Sequence, residues 1–245
     1  MTDYAFKPIG FIRSCFPEKF GIPRQPGLVP DAAAQLEIAP PFQRPEAFRA
    51  LETFSHIWIL FVFHQCLDSG WKATVRPPRL GGNRRVGVFA SRSGFRPNPI
   101  GQSVVELAGL DNVPGRITLH LRGVDLLDGT PVLDIKPYLP YCDALPHAAS
   151  GYAPQPPAAK KPVAFSPQAD RACRRLENLR YDGLQGLITD LLALDPRPGY
   201  ADHTGKQAFG MRLWDLNIRF RIEADRFVVE SIIAAPGPPS SDSGL

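Results

Sequence analysis

Apolar and polar positions alternate with a period of two along much of the first 140 residues, and proline or glycine interrupts the pattern at short intervals. Ile9, Phe11 and Arg13 alternate with Gly10 and Ile12; in residues 116–124, Ile117, Leu119 and Leu121 take one side and Thr118, His120 and Arg122 the other. Alternation of this kind predicts strands packed on one face. Residues 54–63 are an almost unbroken apolar run, which predicts a strand buried on both faces. Further strands are predicted over 86–89, 101–110 and 132–135. Residues 45–51, opened by a proline in the first turn, give the one helix predicted in this half. Short strands at regular spacing without long helices between them predict a small closed β-barrel.

The period changes in the second half. Residues 143–162 are rich in Ala, Pro and Ser and read as a linker. Residues 167–180 and 184–194 then show helical spacing, and Trp214, Leu216, Ile218, Phe220 and Ile222 alternate with polar neighbours as one strand. Residues 226–233 form its hairpin partner through Glu223-Ala224-Asp225. The expected architecture is mainly β: a barrel domain at 4–145, a Pro/Ala-rich linker at 146–162, a small α+β C-terminal domain at 163–235 and a disordered tail at 236–245.

Composition narrows the function. With 44% hydrophobic and 21% charged residues the chain has a globular balance. Its 27 prolines favour rigid turns over long helices. Cys15, Cys66, Cys142 and Cys173 are far apart, so neither a zinc site nor a disulfide framework is expected and a reducing cytoplasm fits. No signal-peptide pattern opens the chain, and no apolar run approaches the length of a membrane span. Neither a G-x-G-x-x-G turn nor a P-loop occurs, so a nucleotide-like ligand would be held by a non-Rossmann cradle. The net charge is only +4, but residues 69–105 contain no acid and carry Lys72, Arg76, Arg79, Arg84, Arg85, Arg92 and Arg96. Such a face either binds polyanion phosphates or is merely solvated.

Four segments hold polar or backbone-restricting residues that a plain barrel does not need. Pro23-Arg24-Gln25-Pro26-Gly27 fixes a cation and an amide between two prolines. His64-Gln65 closes the long apolar strand, as a barrel cap or as the lip of a pocket. Residues 91–101 form a loop stiffened by Pro97 and Pro99 that presents Arg92, Phe95, Arg96 and Asn98. A stiff loop dense in donors and acceptors grips a ligand at little ordering cost. In residues 125–141, Asp128-Gly129 marks a tight turn, and alternation puts Asp134, Lys136 and Tyr138 on one face, where they can share a hydrogen-bonded cluster.

The blocks "PRQPG", "SHIWILFVFHQ", "VRPPRLGGNRRVGVFASRSGFRPNPIG" and "DLLDGTPVLDIKPYLPY" resemble, in order, the signature blocks of the TsaA-like, or TrmO, family, and "DPRPGY" and "WDLNIRF" resemble pieces of the C-terminal extension of its bacterial members. The resemblance covers most of residues 4–142. It implies a barrel methyltransferase that uses S-adenosyl-L-methionine and works as a homodimer with the cofactor near the subunit interface. It implies as substrate the N6 of threonylcarbamoyladenosine at position 37, beside the anticodon of threonine tRNA. By matching motif the cofactor contacts are Pro23, Arg24, Gln25, His64, Gln65, Arg92, Asp125, Leu126, Leu127 and Asp128. Gly94 departs from the bulkier residue or proline expected before Phe95 and is expected to loosen the cofactor loop.

An adenine N6 is a poor nucleophile, so it must be held in line with the methyl group at roughly 3 Å while its proton is accepted. Asn98-Pro99 resembles, by analogy, the Asn/Asp-Pro pairs of other amino-methyltransferases, which makes Asn98 a catalytic candidate; Asp134 or Tyr138 is the candidate proton acceptor, and Tyr138 or Phe95 the stacking partner of the base. Lys72, Arg76, Arg79, Arg84, Arg85, Arg96 and Lys136 are the expected RNA contacts, and no metal is expected. The alternatives are a non-catalytic module that binds S-adenosylmethionine or tRNA, and a barrel methyltransferase acting on a small molecule.

Overall fold

The computed structural model of the protein describes residues 2–155, 157, 161–197, 208–223 and 225–235. In the first part, β1 (Gly10–Ser14), β2 (Ala34–Ile38), β3 (His56–Val62), β6 (Ile100–Val113), β7 (Arg116–Arg122) and β8 (Pro131–Pro137) close into a barrel in the order β1-β2-β7-β6-β3-β8, with every neighbour antiparallel. Closure leaves no free strand edge. A separate ribbon pairs β4 (Thr74–Val75) with β5 (Val86–Gly87), and a single helical turn, α1 (Pro140–Asp143), follows the barrel.

Side-chain alternation fills the barrel: Ile12, Leu36, Ile57, Ile59, Val105, Leu119, Leu121 and Val132 are all buried. Each such aliphatic side chain contributes about 1.5–3 kcal/mol by leaving water. β3 is not buried on both faces as its composition suggests. Ile57, Ile59 and Phe61 point into the core, whereas Trp58, Leu60 and Val62 are half-buried, because the barrel interior receives only one face of each strand. Residues 45–51 are likewise not an α-helix. Two 3-10 turns, Pro45–Phe48 and Leu51–Thr53, are separated by Ala50 at φ 66°, a left-handed residue that no helix continues through. The strand expected at 86–89 stops after Gly87 and tightens into a 3-10 turn over Val88–Ala90.

The second part is a four-stranded sheet in the order β10-β11-β12-β9, made of β9 (Val163–Phe165), β10 (Ala208–Leu213), β11 (Leu216–Glu223) and β12 (Arg226–Ala234). The hairpin across 223–226 forms as the alternation predicts, with Glu223 opposite Arg226. Trp214 does not lie within one continuous strand: at φ 49° it turns the chain between β10 and β11. α2 (Pro167–Leu179) begins at Ser166, whose hydroxyl accepts the Ala169 N–H at 3.1 Å, and α3 (Leu184–Ala193) buries Leu187, Ile188, Leu191 and Leu192. The buried residues of barrel and sheet form one contiguous core. Residues 144–155 carry neither strand nor helix, and the tail at 236–245 lies outside the described residues. No helix among the described residues is long and apolar enough to cross a membrane.

Candidate functional site

All four chemistry-bearing segments of the sequence meet at one end of the barrel, around a cavity of about 730 Å³. Its walls come from residues 19–25, from the end of β3 and the turn after it, from the 91–96 loop with the start of β6, and from residues 125–127. Of the expected cofactor contacts, Pro23, Arg24, Gln25, His64, Gln65, Arg92, Asp125, Leu126 and Leu127 line it. Asp128 does not. Its carboxylate accepts the Ser14 N–H at 3.0 Å, which ties the 125–130 turn to β1.

Several lining residues carry no obvious sequence signal. Lys19, Ile22, Phe61, Phe63, Cys66 and Gln102 are among them, and so is Ser103, a polar side chain buried in the midst of an apolar strand. The Ser103 Oγ donates to Asp125 at 2.6 Å. Burial pushes the Asp125 carboxyl up to about 6, against the opposing pull of the Ser103 hydroxyl, its own backbone N–H and the Arg92 charge. Arg92 Nη1 donates to Gln25 Oε1 at 2.5 Å, joining two neighbouring walls of the cavity from segments far apart in sequence.

The 91–101 loop is stiff for reasons beyond its prolines. Arg96 Nη1 donates to the carbonyls of Val88 at 3.1 Å and Ser91 at 2.7 Å, and Phe63 N–H donates to Pro99 O at 2.8 Å. Gly94 does not loosen this loop. A Cβ there would fall 2.7 Å from Phe63 Cγ and 3.0 Å from Cys66 Sγ, so the missing side chain lets the loop close onto the end of β3. Gly101 acts in the same way, since its Cβ would lie 2.3 Å from the Phe61 ring.

The three catalytic candidates do not line the cavity of their own chain. Asn98 lies on its margin, exposed, with its carbonyl accepting the N–H of the lining residue Ile100 at 2.7 Å. Asp134 and Lys136 do share a face of β8 and pair at 2.9 Å, both largely in solvent. Tyr138 packs against His56 and Trp58, with ring centroids 6.5 and 5.9 Å away. That places it at the start of β3, about 13 Å along the strand from Leu60.

The acid-free segment is spread over the surface beside the cavity. Lys72, Arg76, Arg79, Arg84 and Arg85 are exposed, and so are Trp71 (58%) and Phe89 (74%), two aromatics that the sequence reading passed over. Lys72 Nζ sits 4.2 Å from the centroid of the cavity residue Phe95, and the Arg96 guanidinium 5.6 Å from Phe89. No group of three or more His, Cys, Asp or Glu among the described residues is arranged to hold a metal ion.

A family model for the tRNA-methyltransferase O N-terminal domain matches residues 11–144, and one for the TrmO C-terminal domain matches residues 158–235. The chain belongs to the TrmO family. The tRNA (adenine(37)-N6)-methyltransferase of Escherichia coli (strain K12) is 49% identical over 231 residues, covering 94% of this chain and 97% of that protein. A putative S-adenosylmethionine-dependent methyltransferase of Pseudomonas aeruginosa, RcsF, is 51% identical over 217 residues, 89% of this chain and 92% of its own length. The crystal structure of TrmO from Pseudomonas aeruginosa superposes with a TM-score of 0.79 at 43% identity, over 95% of this chain and 99% of that one.

The cavity fits the cofactor that these names imply. Its volume lies in the range of small-molecule sites. Arg24, Arg92 and Lys19 suit a carboxylate, Asp125 suits a cationic sulfonium, and Ile22, Phe61, Phe63, Leu126 and Leu127 offer apolar walls for an adenine.

Proposed function

We propose that this chain transfers a methyl group from S-adenosylmethionine to the N6 of threonylcarbamoyladenosine at position 37 of threonine tRNA, as a cytoplasmic homodimer with the cofactor near the subunit interface. The observation that carries this reading is the meeting of the four signature segments in one cavity, beside an exposed basic segment that itself contains no acid and carries the exposed aromatics Trp71 and Phe89. Cations neutralise loop phosphates, and Trp71 and Phe89 offer flat faces to unstacked bases. An anticodon loop already splays its bases, so presenting one to the cavity costs less than flipping it from a duplex. The dimer draws support from Ile100, a lining residue that is 41% exposed, and from Leu67, 55% exposed in the turn after β3.

When bound, the cofactor supplies an electrophilic methyl group on a sulfonium. The chain's own work is placement. Asp125 and Arg92 provide opposite charges within one cavity, which orients a ligand that itself carries both. Asn98, on the cavity margin, accepts the hydrogen of N6 through its amide oxygen and so aims the nitrogen lone pair; the proton then passes to water. None of the three lines the cavity, and Asn98 is favoured because the stiff loop holds it between the lining residues Arg96 and Ile100, whereas Asp134 is paired with Lys136 and Tyr138 packs on Trp58. Lys72, Arg76, Arg79, Arg84 and Arg85 grip phosphates, while Arg96 braces the loop that carries Asn98.

The test is methyl transfer from labelled S-adenosylmethionine to threonine tRNA with and without its threonylcarbamoyl group, at low and moderate salt. Label is expected only on the modified tRNA, falling steeply as salt rises. Cofactor binding without any transfer would overturn the catalytic reading, and equal labelling of both tRNAs would overturn the substrate.

A further inference from the structure

The C-terminal sheet reaches the cavity through a seam along residues 15–24. Trp214 N–H donates to Cys15 O at 2.8 Å, and Arg212 N–H donates to Glu18 Oε1 at 3.1 Å. Phe20 stacks on Phe220 with centroids 6.4 Å apart. Gly21, at φ 95°, lets the chain pass so close to β10 that a Cβ would lie 2.4 Å from Met211 Sδ. At the end of the seam, Arg24 Nη2 donates to the carbonyls of Arg197 at 2.9 Å and Asp195 at 3.4 Å.

Those two carbonyls are held in place by their own side chains. Asp195 adopts φ 52° and receives Arg197 Nε at 2.8 Å and Nη2 at 2.7 Å, a two-pronged pair. Arg197 is only 6% exposed, and Lys161 Nζ adds a second cation 3.4 Å from the same carboxylate. The Arg197 guanidinium also lies 5.9 and 5.7 Å from the rings of Phe209 and Phe227, which belong to β10 and β12. A turn built on a buried guanidinium and a two-pronged ion pair is expensive to assemble and rigid once made.

The barrel gives the same segment little support. Phe16 O accepts from Asp128 N–H and Gly27 N–H donates to Gly123 O, but among the described residues no backbone hydrogen bond to the barrel joins the chain between them. Yet Lys19, Ile22, Pro23, Arg24 and Gln25 form one wall of the cavity, and Gln25 holds Arg92 on the next wall.

We propose that the C-terminal unit is a positioning element of the cofactor cavity: the Asp195–Arg197 turn fixes Arg24, and through it the Gln25–Arg92 pair. Arg197 is a positioning residue, because it does not line the cavity and holds the lining residue Arg24 through its carbonyl. This rests on the cavity being the cofactor site, as the proposed function requires. It gives the C-terminal unit a role in cofactor affinity that is separate from any contact with RNA.

The experiment is calorimetric titration of the full-length protein with S-adenosylmethionine, well below its melting temperature, together with amide exchange over residues 18–25. Arg197→Lys keeps the charge but loses the two-pronged geometry. It is expected to weaken cofactor binding about tenfold and to speed exchange in that segment. Arg24→Lys is expected to do the same, and the double variant to be no weaker than either single one. Additive losses, or unchanged affinity despite a lowered melting temperature, would overturn the proposal.

If Arg197→Lys fails to fold, Phe20→Ala carries the test, since Phe20 touches the C-terminal sheet and does not line the cavity. It is expected to weaken binding several-fold, and unchanged affinity would again overturn the proposal. Arg92→Ala separates this idea from the one beneath it. If that variant binds the cofactor as well as the parent, both fall; if it binds weakly while Arg197→Lys and Phe20→Ala bind normally, only the seam proposal falls.

Discussion

Asp125 and Asp134 stand on either side of the Asp128-Gly129 turn, each within three residues of a cation, and by composition alone either stretch is a plausible centre of chemistry. Their surroundings set them apart. Asp125 lies in the cavity, hydrogen-bonded to the buried Ser103, and burial has raised its carboxyl to about 6. Asp134 lies on the outer face of β8, half-exposed and paired with an equally solvated Lys136. The same residue types are held ready for a ligand where water has been removed and are ordinary surface chemistry where it has not. The largest expected effect belongs to the cavity margin. Asn98→Ala should lower single-turnover methyl transfer by about 100-fold or more, with S-adenosylmethionine affinity within about twofold of the parent. An active variant would remove Asn98 from the mechanism.

Asp125 sharpens the comparison through pH. Its ordinary value of 3.8 applies to the unfolded chain and about 6 to the folded one, so between these limits the folded protein binds more protons. Stability of the cofactor-free protein should therefore fall as pH rises through that window, and above it the whole cost, up to about 3 kcal/mol, remains. Asp125→Asn is expected to raise the melting temperature at pH 7.5 and to flatten its dependence between pH 4 and 6. The same substitution removes the anion facing the sulfonium and should weaken cofactor binding about tenfold to 100-fold. In the parent protein, affinity should rise as pH increases through about 6. Calorimetry across pH 5–8 checks both; a variant that gains stability and keeps full affinity would detach Asp125 from the cofactor.

Much of this contrast is legible in the sequence, and what is not has identifiable causes. Period-two alternation exposes the strands, and the breaks at proline and glycine expose a barrel. Alternation cannot tell which strands face a ligand, so Ser103 and Gln102 pass unnoticed within β6. It put Asp134, Lys136 and Tyr138 on a common face without revealing that only Asp134, opposite the lining residue Leu60, comes near the cavity, while Lys136 is opposite Trp58 and Tyr138 lies further along β3. Phe61 against Gly101 and Phe63 against Gly94 are fits between shapes, and neither glycine advertises the ring it admits. The grip on Arg24 is the least legible contact. Backbone carbonyls accept it, and these have no residue identity to read.

The basic surface gives a smaller and more graded effect. Arg84 and Arg85 are exposed on the ribbon region, with Arg85 Nη1 donating to Thr74 Oγ1 at 3.0 Å. Replacing either by Ala should weaken tRNA binding severalfold at low salt and reduce the slope of log affinity against log salt by about 0.7–0.9, one released counterion each. Affinity for free S-adenosylmethionine should not change. Filter binding at several salt concentrations decides it, and loss of tRNA affinity with an unchanged slope would rule out a phosphate contact.

The smallest effects are expected on the outer face of β8, where the comparison is easiest to break. The Asp134–Lys136 pair is 48% and 62% exposed at its two side chains, so water competes for both charges and the pair contributes no more than about 1 kcal/mol. Tyr138 packs on Trp58 and His56, contacts that Phe preserves because they belong to the ring. Asp134→Asn and Tyr138→Phe should therefore each leave the methyl-transfer rate and cofactor affinity within about twofold of the parent, with melting temperature moving by a few degrees at most. A 100-fold loss in single-turnover rate from either one, with cofactor affinity intact, would bring that face into the reaction. For Asp134, opposite the lining residue Leu60, such a loss would place the reacting base at that edge of the cavity; for Tyr138, further along β3, it would require a second subunit or the RNA itself to bring the base there.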